Sequence, residues 1–150
     1  MTPARFVASF FGSGLVPVAP GTAGSLAALL PGLALLLVSP LALAVGAVAV
    51  TGIGLWAVRA ARAGDDPGWV VIDEVAGQWI ALLALPHPSV AGALLAFAAF
   101  RLFDITKPGP VGWAERLPGA VGVMADDVLA GALAALLVVA IRWAVPGLLD

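Results

Sequence analysis

The chain contains no cysteine and only one histidine, His87, and just 11% of its 150 residues are charged. The missing cysteine excludes disulfides, thiolate metal sites and cysteine nucleophiles. There is also no basic cluster with interleaved aromatics, and a net charge of -2 with a pI near 5.1 gives no footprint for nucleic acid. What the chain has instead is apolar surface. Hydrophobic residues make up 62% and mean hydropathy is +1.10, against about 45–50% apolar and about 25% charged in soluble domains. That is the composition of an integral membrane protein, at the length of one domain. The opening stretch "MTPARFVASFFGSGLVPVAPGTAGS" has one Arg and a short apolar run broken by Gly and Pro. It is not expected to act as a cleavable signal peptide.

Five apolar runs follow. Residues 26–38 are interrupted by Pro31 and Gly32, Ser39-Pro40 breaks the chain, and residues 41–58 form the second run. The third starts near Val75 and meets Pro86-His87-Pro88, residues 89–100 continue as the fourth, and residues 128–145 make the last. A spanning helix needs about 20 residues. Only the second and fifth runs approach that, so the others are expected to be half-spans or tilted, buried helices.

Charge then orders the runs. Arg59, Arg62, Asp65, Asp66, Asp73 and Glu74 fall in residues 59–74, and a second charged stretch fills residues 101–127. Hairpin turns at Ser39-Pro40 and Pro86-His87-Pro88 put both stretches and the N-terminal loop on one side. Six of the seven Lys and Arg residues then share that side, with Arg142 opposite, and the positive-inside rule makes it cytoplasmic. A single continuous crossing over residues 75–100 would require a helix through Pro-His-Pro. Trp69, Trp79 and Trp113 fall near the same boundary, where amphipathic rings are favoured, although plain packing also accounts for tryptophan in so apolar a chain.

Five carboxylates can meet there: Asp73, Glu74, Asp104, Asp126 and Asp127. "DEVAG" and "DVLAG" both obey Asp-x-x-Ala-Gly, a short match consistent with an internal repeat. Each Gly lies one turn beyond its Asp on the same face, where it would let another helix approach closely. Capping of helix N-termini explains one acid of each pair, since carboxylates are favourable there. It explains the second acid poorly. Arg101, Asp104 and Lys107, spaced i, i+3, i+6, share one face of a helix ending before Pro108. Asp104 opposes the helix dipole in that last turn, so it is either an ion-pair partner of Arg101 or Lys107 or part of a site. Acids with fixed cations beside them are what a divalent cation and a phosphate together require.

The segment "PVAPGTAGSL" adds Gly21, Gly24, Thr22 and Ser25 just before a helix expected to start near Leu26. Backbone N–H groups at such an N-terminus can receive a phosphate, and Ser25 can equally be an ordinary N-cap. No Gly-Lys-Ser/Thr follows, so this is not a Walker loop.

In this order and at these separations, "PGTAGSL", "VIDEVAGQWIALL" and "FRLFDITKPGPVGWAERLPGAVGVMADDVLAG" resemble the phosphatidylglycerophosphatase A family of bacterial membrane lipid phosphatases. The likeness runs from about Gly12 to the end of the last apolar run. It implies an all-α fold and Mg²⁺-dependent hydrolysis of phosphatidylglycerophosphate, a phospholipid, to phosphatidylglycerol and phosphate. The expected architecture is one domain over residues 1–150: a compact bundle of membrane-embedded helices with helical hairpins and polar loops on one face. The expected location is the bacterial inner membrane, multi-pass, with the site on the cytoplasmic side.

Residue types restrict the mechanism independently. A cysteinyl-phosphate route needs the absent cysteine, a multi-histidine lipid-phosphatase pattern needs more than His87, and no Asp-x-Asp-x-Thr run supports an aspartyl-phosphate phosphatase. The surviving expectation is in-line attack on phosphorus by Mg²⁺-activated water. Asp73, Glu74, Asp104, Asp126 and Asp127 are candidates for metal ligand or base, with one of them acting as nucleophile still open. Lys107 and Arg101 would neutralise phosphoryl oxygens, and Gly21, Thr22 and Ser25 would receive the phosphate. Competing classes are another metal-dependent phosphoester hydrolase or transferase, a small transporter, and a scaffold. A transporter would carry ionisable groups deep in its long spans, and residues 26–58 have none. A CDP-alcohol-type transferase would show repeated Asp-Gly and spaced Asp residues, which this chain lacks.

Overall fold

A computed structural model describes residues 1–64 and 67–150; Asp65 and Asp66, counted above among the loop charges, lie outside the described residues. Among the described residues there is no strand, and seven α-helices carry the fold: α1 (Pro3–Ala8), α2 (Pro20–Val38), α3 (Pro40–Ala60), α4 (Ile72–Leu82), α5 (Val90–Thr106), α6 (Pro110–Glu115) and α7 (Gly119–Ala144). The protein is therefore all-α, as expected.

Three helices are long and apolar enough to cross a bilayer: α2, α3 and α7. At 1.5 Å per residue the 21 residues of α3 reach about 31 Å, close to the roughly 30 Å of hydrocarbon. The sequence reading expected only two such helices. It missed α2 because the helix begins at Pro20 rather than near Leu26 and continues through Pro31. Pro20 costs nothing at the first helical position, where its missing N–H has no partner to lose. Pro31 removes one internal hydrogen bond, and flanking helices in a membrane bundle accommodate such losses.

The two expected hairpins are present. Ser39 ends α2 in an extended conformation and caps α3, its hydroxyl accepting from the N–H of Ala42 at 2.9 Å. Ser89 caps α5 likewise through Gly92 at 3.0 Å. Leu85 packs against Gly92 at the turn, and Gly77 against Phe100 further up, so α4 and α5 run antiparallel. His87 is exposed in this turn.

The 11-residue α4 reaches only about 16 Å and is no span. It is encased instead, touching α2, α3, α5 and α7. Two features tie it down at its ends. The N–H of Val71 donates to the Ala8 carbonyl at 2.9 Å, and Arg142 Nη1 on α7 donates to the Ala84 carbonyl at 2.8 Å just past the helix. Arg142, the one cation assigned to the far side, thus satisfies backbone left open at a buried helix end. Trp79, expected at the boundary, lies within α4; its indole donates to the Ala28 carbonyl at 2.9 Å and packs over Gly32 and Gly46. It joins three helices rather than marking an interface. Trp69 does sit among loop residues, with Arg5 stacked 4.8 Å over its ring.

Candidate active site

The geometry of the site starts from the end of α5. Arg101, Asp104 and Lys107 share one face, as their spacing predicts: Arg101 Nη1 donates to Asp104 Oδ2, and Lys107 Nζ donates to Oδ1 at 3.3 Å. Pro108 stops the helix, and Lys107 turns into the left-handed region (φ 47, ψ 58). From there its ammonium crosses to Asp126 Oδ2 on α7 at 2.7 Å. Asp104 is thus an ion-pair partner of both cations and, through Lys107, is joined to a second helix.

Asp126 and Asp127 do not cap anything. The last apolar helix begins at Gly119, with Pro118 at its N-cap, so both acids lie well past the first turn and both are buried. The capping explanation retained for one of them is overturned, because "GAVGVMA" extends the helix upstream of the acids. Asp126 accepts from the Asp127 N–H at 2.9 Å as well as from Lys107. Oδ2 of Asp127 is buried without a hydrogen-bond partner. Asp73 and Glu74, by contrast, do occupy the first turn of α4, where the helix dipole favours them.

Three helices bring these acids together. One carboxylate oxygen each from Asp73, Glu74 and Asp127 lies within 4.8 Å of the others, and the same holds for Asp104, Asp126 and Asp127. Asp127 belongs to both groups and joins them. The arrangement depends on the two Asp-x-x-Ala-Gly segments, because α4 and α7 cross at their glycines. A Cβ on Gly131 would stand 2.8 Å from the Gly77 Cα, and one on Gly77 would meet the Asp127 backbone oxygen. Close approach behind the acids, expected from the spacing, is what the backbones show.

The first turn of α2 completes the rim. A Cβ on Gly21 would collide with Glu74 Oε1 and stand 3.3 and 3.4 Å from the Arg101 guanidinium nitrogens, so the bare backbone faces acid and base together. Thr22 follows in the same turn, half-buried. Ser25 is neither an N-cap nor at the rim: it is fully buried inside α2, and its hydroxyl donates to the Gly21 carbonyl at 2.9 Å.

Charges crowded this way perturb one another. Burial pushes Glu74 up to about 7, with the neighbouring Asp104 charge adding to the effect and a hydrogen bond with Asp73 opposing it. Burial disfavours the Lys107 ammonium, but the hydrogen bond and charge of Asp126, together with Asp104 and Asp127, outweigh it and hold its pKa above the usual range. An excess of acids with buried, unpartnered oxygens on Glu74 and Asp127 is a donor set suited to a hard divalent cation.

Two neighbours escaped the sequence reading. Gln78, one turn beyond Glu74, is fully buried with neither amide atom hydrogen-bonded. Its signal was available: it is the one polar residue between Glu74 and His87. Arg116 lines, with Glu115, Gly122 and Asp126, a cleft of about 460 Å³ that opens beside the cluster. Nothing in its spacing singled it out from a solvated loop.

Residues 6–142 match the family model described as phosphatidylglycerophosphatase A. The chain belongs to that family. Phosphatidylglycerophosphatase A of Haemophilus influenzae is 40% identical over 148 residues, covering 95% of this chain and 91% of that one. The Escherichia coli phosphatidylglycerophosphatase A is 39% identical over 143 residues, covering 89% and 80% respectively. A Bacteroides thetaiotaomicron protein, named provisionally as a phosphatidylinositol-3-phosphatase, is 42% identical over 144 residues, covering 90% and 91%. No solved structure matches the chain. As a phosphatidylglycerophosphatase A family member the protein is a membrane-associated lipid phosphatase, and the acid cluster is its candidate active site.

Proposed function

We propose that this phosphatidylglycerophosphatase hydrolyses phosphatidylglycerophosphate with Mg²⁺ held by Asp73, Glu74, Asp104, Asp126 and Asp127, on the cytoplasmic face of a bacterial inner membrane. The observation that carries the metal assignment is the pair of buried carboxylate oxygens, on Glu74 and Asp127, that no protein group satisfies. A buried carboxylate without a partner is costly, and two such groups beside three more acids call for a cation. When bound, a divalent cation lowers the pKa of water and offsets charge on phosphoryl oxygens.

The chain's own residues supply the rest. Arg101 and Lys107 are the fixed cations, and Asp104 and Asp126 hold them in place through their ion pairs. With substrate present, Lys107 and Arg101 neutralise the monoester phosphate as charge builds on its oxygens. Gly21 and Thr22 present the free N–H groups of the first turn of α2 to the same group, and Ser25 supports them from below through its bond to Gly21. An acid of the cluster takes the proton of the attacking water. The water oxygen bonds to phosphorus, the ester P–O bond breaks, and the leaving glycerol oxygen takes up the proton that the acid received, giving phosphatidylglycerol and inorganic phosphate. Acyl chains stay in the bilayer throughout, while the phosphate reaches the acids where α4 begins and α5 ends.

Placement on the cytoplasmic face is supported by charge: six of seven cations accompany the acids and Arg142 sits at the other end of α7. A cysteine in place of exposed His87 should label only from the periplasmic side of intact cells; labelling from the cytoplasm contradicts the topology. For substrate, purified protein in detergent should release phosphate from phosphatidylglycerophosphate with Mg²⁺ and stop with EDTA. Phosphatidylinositol phosphate and phosphatidic acid belong in the same assay, the former because of the Bacteroides relative's name. Faster turnover of either would overturn the substrate assignment.

A further inference from the structure

Gln78 lies on α4 within the apolar run from Val75 to Leu85, and it is completely buried. Neither Oε1 nor Nε2 has a hydrogen-bond partner. An amide held this way is costly, and methionine would fill nearly the same volume without that cost. Packing therefore does not explain a glutamine here.

Its position does. Gln78 follows Glu74 by four residues, on the same face of α4, and helical side chains lean toward the N-terminus. That lean carries a side chain at Gln78 toward the turn that holds Glu74. Two further buried groups near that turn are unsatisfied: Oε2 of Glu74 and Nε of Arg101. Both residues border Gly21, which brings them to the same corner of the site. Two donor atoms, Gln78 Nε2 and Arg101 Nε, and two acceptor atoms, Gln78 Oε1 and Glu74 Oε2, are left open among these three side chains.

We propose that Gln78 is a positioning residue for Glu74: its amide N–H donates through one bridging water to the Glu74 carboxylate and holds it toward Asp73 and Asp127. Gln78 touches neither metal nor substrate. It acts as the outer partner that fixes a ligand's orientation, a role whose loss typically costs about 10–100-fold in metal affinity or activity. This inference rests on Glu74 being a metal ligand.

The test combines Mg²⁺ titration calorimetry on the purified protein in detergent with steady-state kinetics and thermal unfolding. Gln78→Met should leave the unfolding temperature unchanged or raised. It should weaken Mg²⁺ binding about tenfold or more and lower kcat with little change in KM for the lipid. In a Glu74→Ala background the same change should add nothing to the loss of Mg²⁺ affinity. Gln78→Asn, which keeps the amide but draws it back by one methylene, should weaken Mg²⁺ binding as well and serves if the methionine variant does not fold. Wild-type Mg²⁺ affinity and kcat in the folded variants, or additive losses with Glu74→Ala, would overturn the proposal. Failure of the unaltered protein to bind Mg²⁺ would instead overturn the metal assignment beneath it.

Discussion

Gly77 and Gly131 stack backbone on backbone where α4 crosses α7, close enough that a Cβ on Gly131 would lie 2.8 Å from the Gly77 Cα. Each glycine sits one turn below an acid, Asp73 on one helix and Asp127 on the other. The contact therefore sets how far apart those two acids are.

Gly131→Ala is expected to separate the helices, since the new methyl meets backbone that cannot move aside. Overpacking of this kind costs about 1–3 kcal/mol. Thermal unfolding in detergent should show the loss, and turnover by the remaining folded protein should fall as well, because Asp127 moves with α7. An unchanged unfolding temperature would contradict the crossing.

The α4–α7 crossing was legible from Asp-x-x-Ala-Gly because the glycine-to-acid spacing is local and helical. The Arg101, Asp104 and Lys107 face was legible for the same reason. What was not legible depended on residues that break the usual rules in an apolar setting. Pro20 and Pro31 concealed a full-length α2, since proline inside a membrane helix gives the same signal as a helix end. "GAVGVMA" fell within the charged stretch of residues 101–127 and outside the last apolar run, so the helix was expected to begin at the acids, and Asp126 and Asp127 looked like caps. Ser25 was misread for the same reason: once α2 starts at Pro20, it is an interior serine that bonds back to Gly21.

Lys107 bridges α5 and α7 through Asp104 and Asp126. Lys107→Met leaves two buried acids without their shared cation, and breaking a buried pair from one side costs about 3–5 kcal/mol; the side chain is 23% exposed, which places the expected loss at or below the lower end. Activity should fall by about 100-fold or more, in line with loss of one charge-stabilising group. Asp126→Asn should be milder than Asp127→Asn, since Asp126 is already satisfied by Lys107 and by the Asp127 N–H. Phosphate release by the three variants, at matched folded fraction, checks the order.

Gly21→Ala tests the rim. Its methyl would push Glu74 Oε1 and crowd the Arg101 guanidinium. The protein should still fold, because what the methyl meets are the ends of two side chains and not backbone. Displacement of a catalytic group by about 1 Å can cost about 100-fold in rate, and a drop of that order in kcat is expected. Wild-type kcat would separate Gly21 from the site.

Arg142→Met serves as the contrasting case at the far end of the bundle. It removes the bond to the Ala84 carbonyl, and hydrogen bonds to charged groups contribute about 1.5–3 kcal/mol. A lower unfolding temperature with unaltered kcat per folded molecule is expected. A selective loss of kcat would mean that Arg142 communicates with the acids.

Asp127 is the acid shared by both carboxylate groups, so the central claim rests most directly on Asp127→Asn. The decisive measurement is phosphate release from phosphatidylglycerophosphate by this variant across a Mg²⁺ titration, with its unfolding temperature recorded alongside. A folded variant with turnover lost at every Mg²⁺ concentration is the predicted result. Turnover within a few-fold of the unaltered protein would contradict an active site built on these acids.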